Sequence, residues 1–345
     1  MLIRVIATLI GRLAGGYRYV AAGLTIVLAV SASAWAATET FGPTSPGRPE
    51  NVNPSTRQID VLFDAIAWMT GVVFVGVFGL LIVFLVKYRH RPNRRPVYSH
   101  GNPKLEAVWT LVPTLLMALT AGLSVSSWKQ QKYVDQMPSG PDVLEVRVLA
   151  RQFSWFFHYP GADGKFGRTS VLWRQNTGDP AQEFGLMRGD LEEIYDSEVI
   201  EALADDEHYQ DKLEADPAAE DDVVTAQMYV PVDTKVHLII TSVDVLHSFF
   251  VPHLRVKQDA VPGLNGHIWL ESSKLSSEAI GQTADGEPKP FEIVCAELCG
   301  AQHYTMRGDL FVVTRERFEQ WLEQQAPEIE EEEYEDEEEY EEEEA

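Results

Sequence analysis

Two uncharged apolar runs dominate the first third of the chain. Residues 65–86 (AIAWMTGVVFVGVFGLLIVFLV) and 107–128 (AVWTLVPTLLMALTAGLSVSSW) each reach the roughly 20 residues that a bilayer-spanning helix needs. They predict transmembrane helices over 59–87 and 105–130. Pro113 is tolerable in the second, because neighbouring groups in a membrane protein can satisfy the carbonyl it leaves free. The connection, 88–104, is basic: Lys87, Arg89, Arg91, Arg94, Arg95 and Lys104 lie in or beside it without an acid. Positive loops stay cytoplasmic, so the chain beyond about residue 130 is exported. A third apolar run, 20–30, follows Arg4, Arg12 and Arg18 and precedes Ala34 and Ala36. That pattern predicts a secretory signal peptide over 1–36 and an exported linker over 37–58; an uncleaved membrane helix is the alternative.

From residue 141 the period changes to two. PDVLEVRVLARQFSWFFHYPG alternates branched apolar and polar residues, as strands do. The pattern lapses over about 165–222, rich in Asp, Glu, Gly and Ala, where DLEEIYDSEVIEAL offers short helical pieces. This reads as an insertion in a β domain, partly ordered at best. Strand signals return in AQMYVPVDTKVHLIITSVDVLHSFFVPHLRVKQDAVPG, GHIWLES, PFEIVCAEL and DLFVVT, and RERFEQWLEQQ reads as a closing helix. Short strands punctuated by Pro and Gly predict an all-β, antiparallel sandwich or barrel over 141–322. The architecture expected is therefore an N-terminal two-helix transmembrane hairpin plus a C-terminal β domain.

Charge alters this picture little. The formal net charge is −25, but residues 328–345 alone hold fourteen acids. Such a block reads as a disordered, solvated tail. The acidic balance argues against nucleic-acid partners.

Chemistry concentrates in CAELCGAQHYTM, residues 295–306, which contains both cysteines of the chain. Cys295 ends one apolar strand and GDLFVV begins the next, so the motif fills a loop clamped by sheet. An exported pair of cysteines forms a disulfide by default. His303 and Met306 at close spacing favour a metal instead. Zinc would accept two Cys and two His, with His247 from DVLHSFFVP as the second imidazole. A thioether suits copper better than zinc. Single-copper blue sites use one thiolate; two thiolates can bridge two coppers.

In order and spacing, DVLHSFFVP, KQDAVPG and CAELCGAQHYTM resemble the corresponding motifs of cytochrome c oxidase subunit II. The resemblance covers the whole topology and implies a cupredoxin-like domain carrying the binuclear copper centre CuA. It implies His247, Cys295, Cys299, His303 and Met306 as copper ligands, with Glu297 contributing its backbone carbonyl. The Glu297 side chain would also reach a magnesium ion at the contact with subunit I. Asp244 and Asp259 would support the site, and Glu106, in KLEAVWTLVP, would stand at the entrance of a proton path into subunit I. The implied role is to accept electrons from an exported c-type cytochrome and pass them to haem in subunit I, where oxygen is reduced to water. The setting is a bacterial inner membrane, with subunit III as a further neighbour.

The chain departs from the family in its aromatic stretch, where Phe153 stands in place of the usual electron-input tryptophan. Trp155, two residues on, would share a strand face with it and could take over the contact; otherwise the donor docks in another pose. The insertion and the glutamate tail are further departures. No C-x-x-C-H for covalent haem occurs. A copper-free quinol-oxidase subunit and a membrane-anchored copper carrier are the competing readings.

Overall fold

The computed structural model describes residues 48–327 apart from 96, 97, 99, 190 and 208. The signal peptide, the linker up to residue 47 and the acidic tail lie outside the described residues.

Helices α1 (Arg57–Lys87) and α2 (Pro103–Lys132) are the two apolar runs, each extended by two residues or so beyond the expected bounds. Asn102 explains where α2 starts: its side chain accepts from the amides of Lys104 and Leu105, and Pro103 fits the first turn. At about 1.5 Å per residue, each helix is roughly 45 Å long, more than the ~30 Å hydrocarbon core. Both are long and apolar enough to cross a membrane, and nothing in their most apolar windows is buried. The end of α2 packs on the β domain, where Ser127 and Gln131 are buried and Trp269 Nε1 donates to the Gln130 carbonyl at 3.0 Å.

That domain is a sandwich of two five-stranded sheets. One runs β3 (Val223–Thr225), β2 (Ser154–Tyr159), β1 (Val143–Arg151), β5 (Lys235–Ser242), β8 (Gly266–Leu270). The other runs β4 (Gln227–Pro231), β10 (Arg307–Val313), β9 (Phe291–Cys295), β6 (His247–Val251), β7 (Val256–Ala260). The sandwich matches expectation, but the pairing is mixed. β1 lies parallel to β5, and β4 lies parallel to β10. Period-2 patterning fixes which face is buried and leaves strand direction open, so these two joins were not readable from it.

In β5 buried and half-exposed residues alternate along the strand. β2 breaks that rule, being buried throughout after Ser154. Trp155, Phe157 and Tyr159 belong to the main core, whereas Phe156 packs with Leu149 and Phe184 in a separate cluster. The cause is the insertion, which covers the outer face of β1 and β2. It is more ordered than its composition suggests: α3 (Pro180–Phe184) and α4 (Ser197–Ala204) accompany an apolar cluster of Trp173, Met187 and Leu191. Asp222 fastens it, accepting from His158 Nε2 at 2.5 Å and from the amides of Gly161 and Gly167 at 3.0 and 2.7 Å. The short helical pieces expected near 190–203 are present.

Helix α5 (Ser276–Ala279) precedes β9, and α6 (Arg315–Gln325) closes the domain. Trp321 of α6 stacks on Tyr229 with ring centres 4.4 Å apart. Beneath it, the buried Tyr159 hydroxyl donates to the Tyr229 carbonyl at 3.0 Å and accepts from the Tyr229 amide at 2.9 Å. Burial raises the Tyr159 pKa far above its ordinary value, so it stays a neutral donor. Tyr159→Phe leaves both backbone groups of Tyr229 without this partner and should cost about 1–3 kcal/mol. The measurement is the shift in the unfolding transition; an unshifted transition would show that β4 is held by its ladder alone.

Candidate metal centre

Three connections converge here: the β1–β2 hairpin, the segment before β6, and the β9–β10 loop. His247 opens β6 and is fully buried. Its Nε2 lies 2.9 Å from Asp244 Oδ1. A carboxylate there holds the proton on Nε2 and leaves the Nδ1 lone pair facing Cys295 Sγ, 3.9 Å away. Burial pushes the Asp244 carboxyl up, but hydrogen bonds from His247 and the amides of Gln152 and Val245 outweigh this and hold it below its ordinary value.

Cys295 ends β9, and its Sγ lies 3.8 Å from that of Cys299. Both thiols are buried and unjoined. A 3₁₀ turn, His303–Thr305, folds the loop back so that His303 Nδ1 and Met306 Sδ lie 3.5 and 3.7 Å from Cys299 Sγ. The Glu297 carbonyl oxygen is 3.2 Å from Cys295 Sγ. All six sequence-predicted donors thus meet. Burial, followed by the neighbouring Cys295, pushes the Cys299 thiol up to about 11. His247, Cys295 and Cys299 bring their donor atoms within 4.8 Å of one another, as no other group of His, Cys and carboxylate does among the described residues.

The donor set fits copper on its own chemistry. Two Cys and two His alone would also suit zinc, but the buried thioether added to two central thiols and a carbonyl makes a soft, mixed cage that matches copper better.

The hairpin supplies what sequence reading missed. Gln152 donates from its amide to Asp244 at 2.8 Å and from its side chain to the Cys299 carbonyl. It therefore ties the His247 support to the thiol loop. Gly300 lets the hairpin in: at φ +140° it adopts a backbone few other residues tolerate, and a Cβ there would meet Gln152 Nε2 at 2.8 Å and the Phe153 ring at 3.1 Å. Glycine inside a ligand loop was the available signal for such an approach; nothing in the sequence marks Gln152.

Phe153 and Trp155 do not share a strand face. Phe153 sits half-buried in the hairpin turn, because β1 ends at Arg151 and β2 begins only at Ser154. Trp155 is 1 % exposed, edge-on to His247 and Phe249 with ring centres at 6.1 and 5.5 Å. It shields the cage and offers no surface for a partner. The exposed rings and apolar side chains next to the donors in sequence include Val245, Leu246, Leu298 and Tyr304.

The Glu297 side chain is exposed. Asp259 receives the Ser248 hydroxyl at 2.7 Å. Glu106 is exposed in the first turn of α2, far along the chain from the cage. His237 and His267 contact each other at 3.0 Å and, like His253, contribute nothing to the donor set.

Comparison with known proteins gives the same answer for both halves. The model of the cytochrome C oxidase subunit II periplasmic domain matches residues 194–313, and that of the subunit II transmembrane domain matches 47–126. The chain is 31% identical over 272 residues to the alternative cytochrome c oxidase subunit 2 of Bradyrhizobium diazoefficiens, covering 77% of this chain and 80% of that one. It is 28% identical over 262 residues to cytochrome c oxidase subunit 2 of Alkalihalophilus pseudofirmus, covering 75% of this chain and 56% of that longer protein. A solved structure of the periplasmic domain of subunit II of cytochrome oxidase from Bradyrhizobium japonicum aligns at 22% identity and TM-score 0.32, over 55% of this chain and 96% of that one. With family models matching more than half of its length, a close enough relative spanning most of it, and a membrane hairpin ahead of a β sandwich, the chain belongs to the cytochrome c oxidase subunit II family and is part of an oxidase complex.

Proposed function

We propose that this chain is the electron-accepting subunit of a haem-copper cytochrome c oxidase in a bacterial inner membrane. Its exported domain takes single electrons from a c-type cytochrome at CuA and passes them to haem in subunit I. The observation that carries this reading is the pair of buried, unjoined thiols 3.8 Å apart, with an imidazole and a thioether at 3.5 and 3.7 Å from Cys299 Sγ. A binuclear copper group held by these residues would supply a one-electron couple.

His247, Cys295, Cys299, His303, Met306 and the Glu297 carbonyl hold that group. Asp244 orients His247, and Gln152 fixes the thiol loop against it. Trp155 and Phe249 keep water from the buried side. Donors fixed from strand ends move little when charge arrives, which favours rapid transfer. The exposed Glu297 carboxylate is free to reach a magnesium ion at subunit I, and the apolar faces of α1 and α2 suit subunits I and III. Donor contact falls to the rim formed by Phe153, Leu298 and Tyr304, with Trp155 behind it. A quinol-oxidase subunit would not need this donor set. A copper carrier would need donors that open, and these are held at both loop ends.

Four outcomes test this reading. Copper-loaded protein should hold two coppers with hyperfine splitting shared between them, and Cys299→Ser should abolish that shared signal; one zinc per chain would overturn the assignment. Because burial pushes the Cys299 thiol up to about 11, copper would have to displace its proton, so loading at neutral pH should release protons and retention should fall as pH falls. Gly300→Ala should misplace the Gln152 hairpin at a cost of roughly 1–3 kcal/mol and weaken copper retention; an unchanged spectrum and stability would show that the loop relaxes. Glu106→Ala should slow steady-state turnover while leaving cytochrome-driven reduction of the copper centre unchanged; equal turnover across pH would remove Glu106 from the proton path.

A further inference from the structure

The outer face of the first sheet carries a row of titratable side chains that the copper cage does not use. Glu145 of β1 stands in register with His237 of β5, and His267 of β8 lies one diagonal step on, opposite Ile239. Glu145 Oε2 is 3.3 Å from His237 Nδ1. His237 Nε2 is 3.0 Å from His267 Nδ1, with the two ring planes inclined by 29°. Three neighbouring strands thus bring a carboxylate and two imidazoles into line.

The order of these groups matters. A carboxylate beside Nδ1 keeps the proton there and leaves the Nε2 lone pair of His237 facing His267. The His247 side of the cage is built the same way, with Asp244 behind the ring and a donor in front of it. Burial lowers the His237 pKa; Glu145 opposes this and His267 adds to it. His237 is therefore neutral near neutral pH, which is the form that ligates a metal. Glu145 stands on the far side of the ring from His267, so it orients His237 rather than sharing a ligand position with both imidazoles.

The row is also accessible. The His237 side chain is 12 % exposed and that of Glu145 41 %. A hollow of about 450 Å³, lined by His237, Glu145 and Asp135, opens beside them and leaves room for entry and for water. Zinc binds imidazole nitrogens at about 2.0–2.1 Å in a tetrahedron, which sets two of them roughly 3.3 Å apart. A slight tilt of either ring reaches that spacing from the present one. The row itself offers nitrogen and carboxylate without sulfur, which suits zinc better than the soft copper of the cage.

We propose that His237 and His267 form a zinc site separate from the thiol cage, with Glu145 holding His237 in the ligating tautomer and water completing the shell. The site bridges β5 to the edge strand β8. Trp269, also on β8, donates to the Gln130 carbonyl near the end of α2. Zinc there braces the strand that joins the membrane hairpin to the β domain.

Thermal unfolding of the full chain in detergent micelles, with zinc chloride as the only added metal, tests this. Micromolar zinc should raise the transition of the wild-type chain, as a ligand of the folded state does. In His267→Ala the part of the rise that this site supplies should vanish, measured from that variant's own zinc-free transition. Zinc taken up elsewhere, the thiol cage included, is common to both chains and cancels in the comparison. His267→Gln, which keeps a hydrogen-bonding side chain at this half-buried position, serves if His267→Ala folds poorly. Glu145→Gln should need about 10–100-fold more zinc for the same rise, the range for loss of an orienting carboxylate. No rise in the wild-type chain, or an equal rise in wild type and the His267 variants, would overturn the site and leave the two rings as a hydrogen-bonded pair only. An unchanged zinc requirement in Glu145→Gln would overturn the orienting role.

Discussion

Six donor groups must be held within 4 Å of their neighbours by protein alone, and the close approach of the β1–β2 hairpin to the thiol loop makes this possible. Gln152 bonds both Asp244 and the Cys299 carbonyl, so the histidine side and the sulfur side of the cage share one clamp. Glycine at position 300, at φ +140°, leaves room for that contact. Fixed donors matter thermodynamically as well as geometrically. The buried Cys299 thiol resists ionisation, and a cation placed among prearranged ligands recovers the cost of deprotonating it there.

Much of this was legible in the chain. The apolar runs gave both membrane helices because length and absence of charge are sufficient criteria for a bilayer span. The six donors lie in two short motifs, so their meeting required only that the ends of β6 and β9 be neighbours, as they are. What was not legible depends on distant partners. Strand direction in the β1–β5 and β4–β10 pairs is set by topology rather than by alternation. An i, i+2 spacing puts Trp155 and Phe153 on one face only if the strand runs through both, and the hairpin turns at Gln152 and Phe153 instead. Gln152 acts through its reach to a loop nearly 150 residues away, and no local pattern encodes that.

The insertion was misjudged for a related reason. Its acidic composition resembles that of a disordered segment, yet a few residues decide the outcome. Phe184 covers Phe156 and Leu149, Trp173 donates to the Lys212 carbonyl at 2.9 Å, and Asp222 satisfies three donors at once. The strand beneath records this cover, since β2 has no solvent-facing alternation after its first residue. Hydrophobicity on both faces of β2 was therefore a visible sign that something lay outside the sheet.

The parallel join between β1 and β5 sets an order on assembly. β5 follows β1 by about 90 residues, so the first sheet cannot close until the entire insertion has crossed the membrane. The thiol loop lies later still, between the last two strands, and β10 must pair with both β9 and β4 before that loop is clamped. The two cysteines lie late in the domain and are enclosed only once β10 has docked. Until β10 docks they are open to any oxidant outside the membrane, so the interval between emergence and closure is when this chain depends most on whatever keeps thiols reduced there.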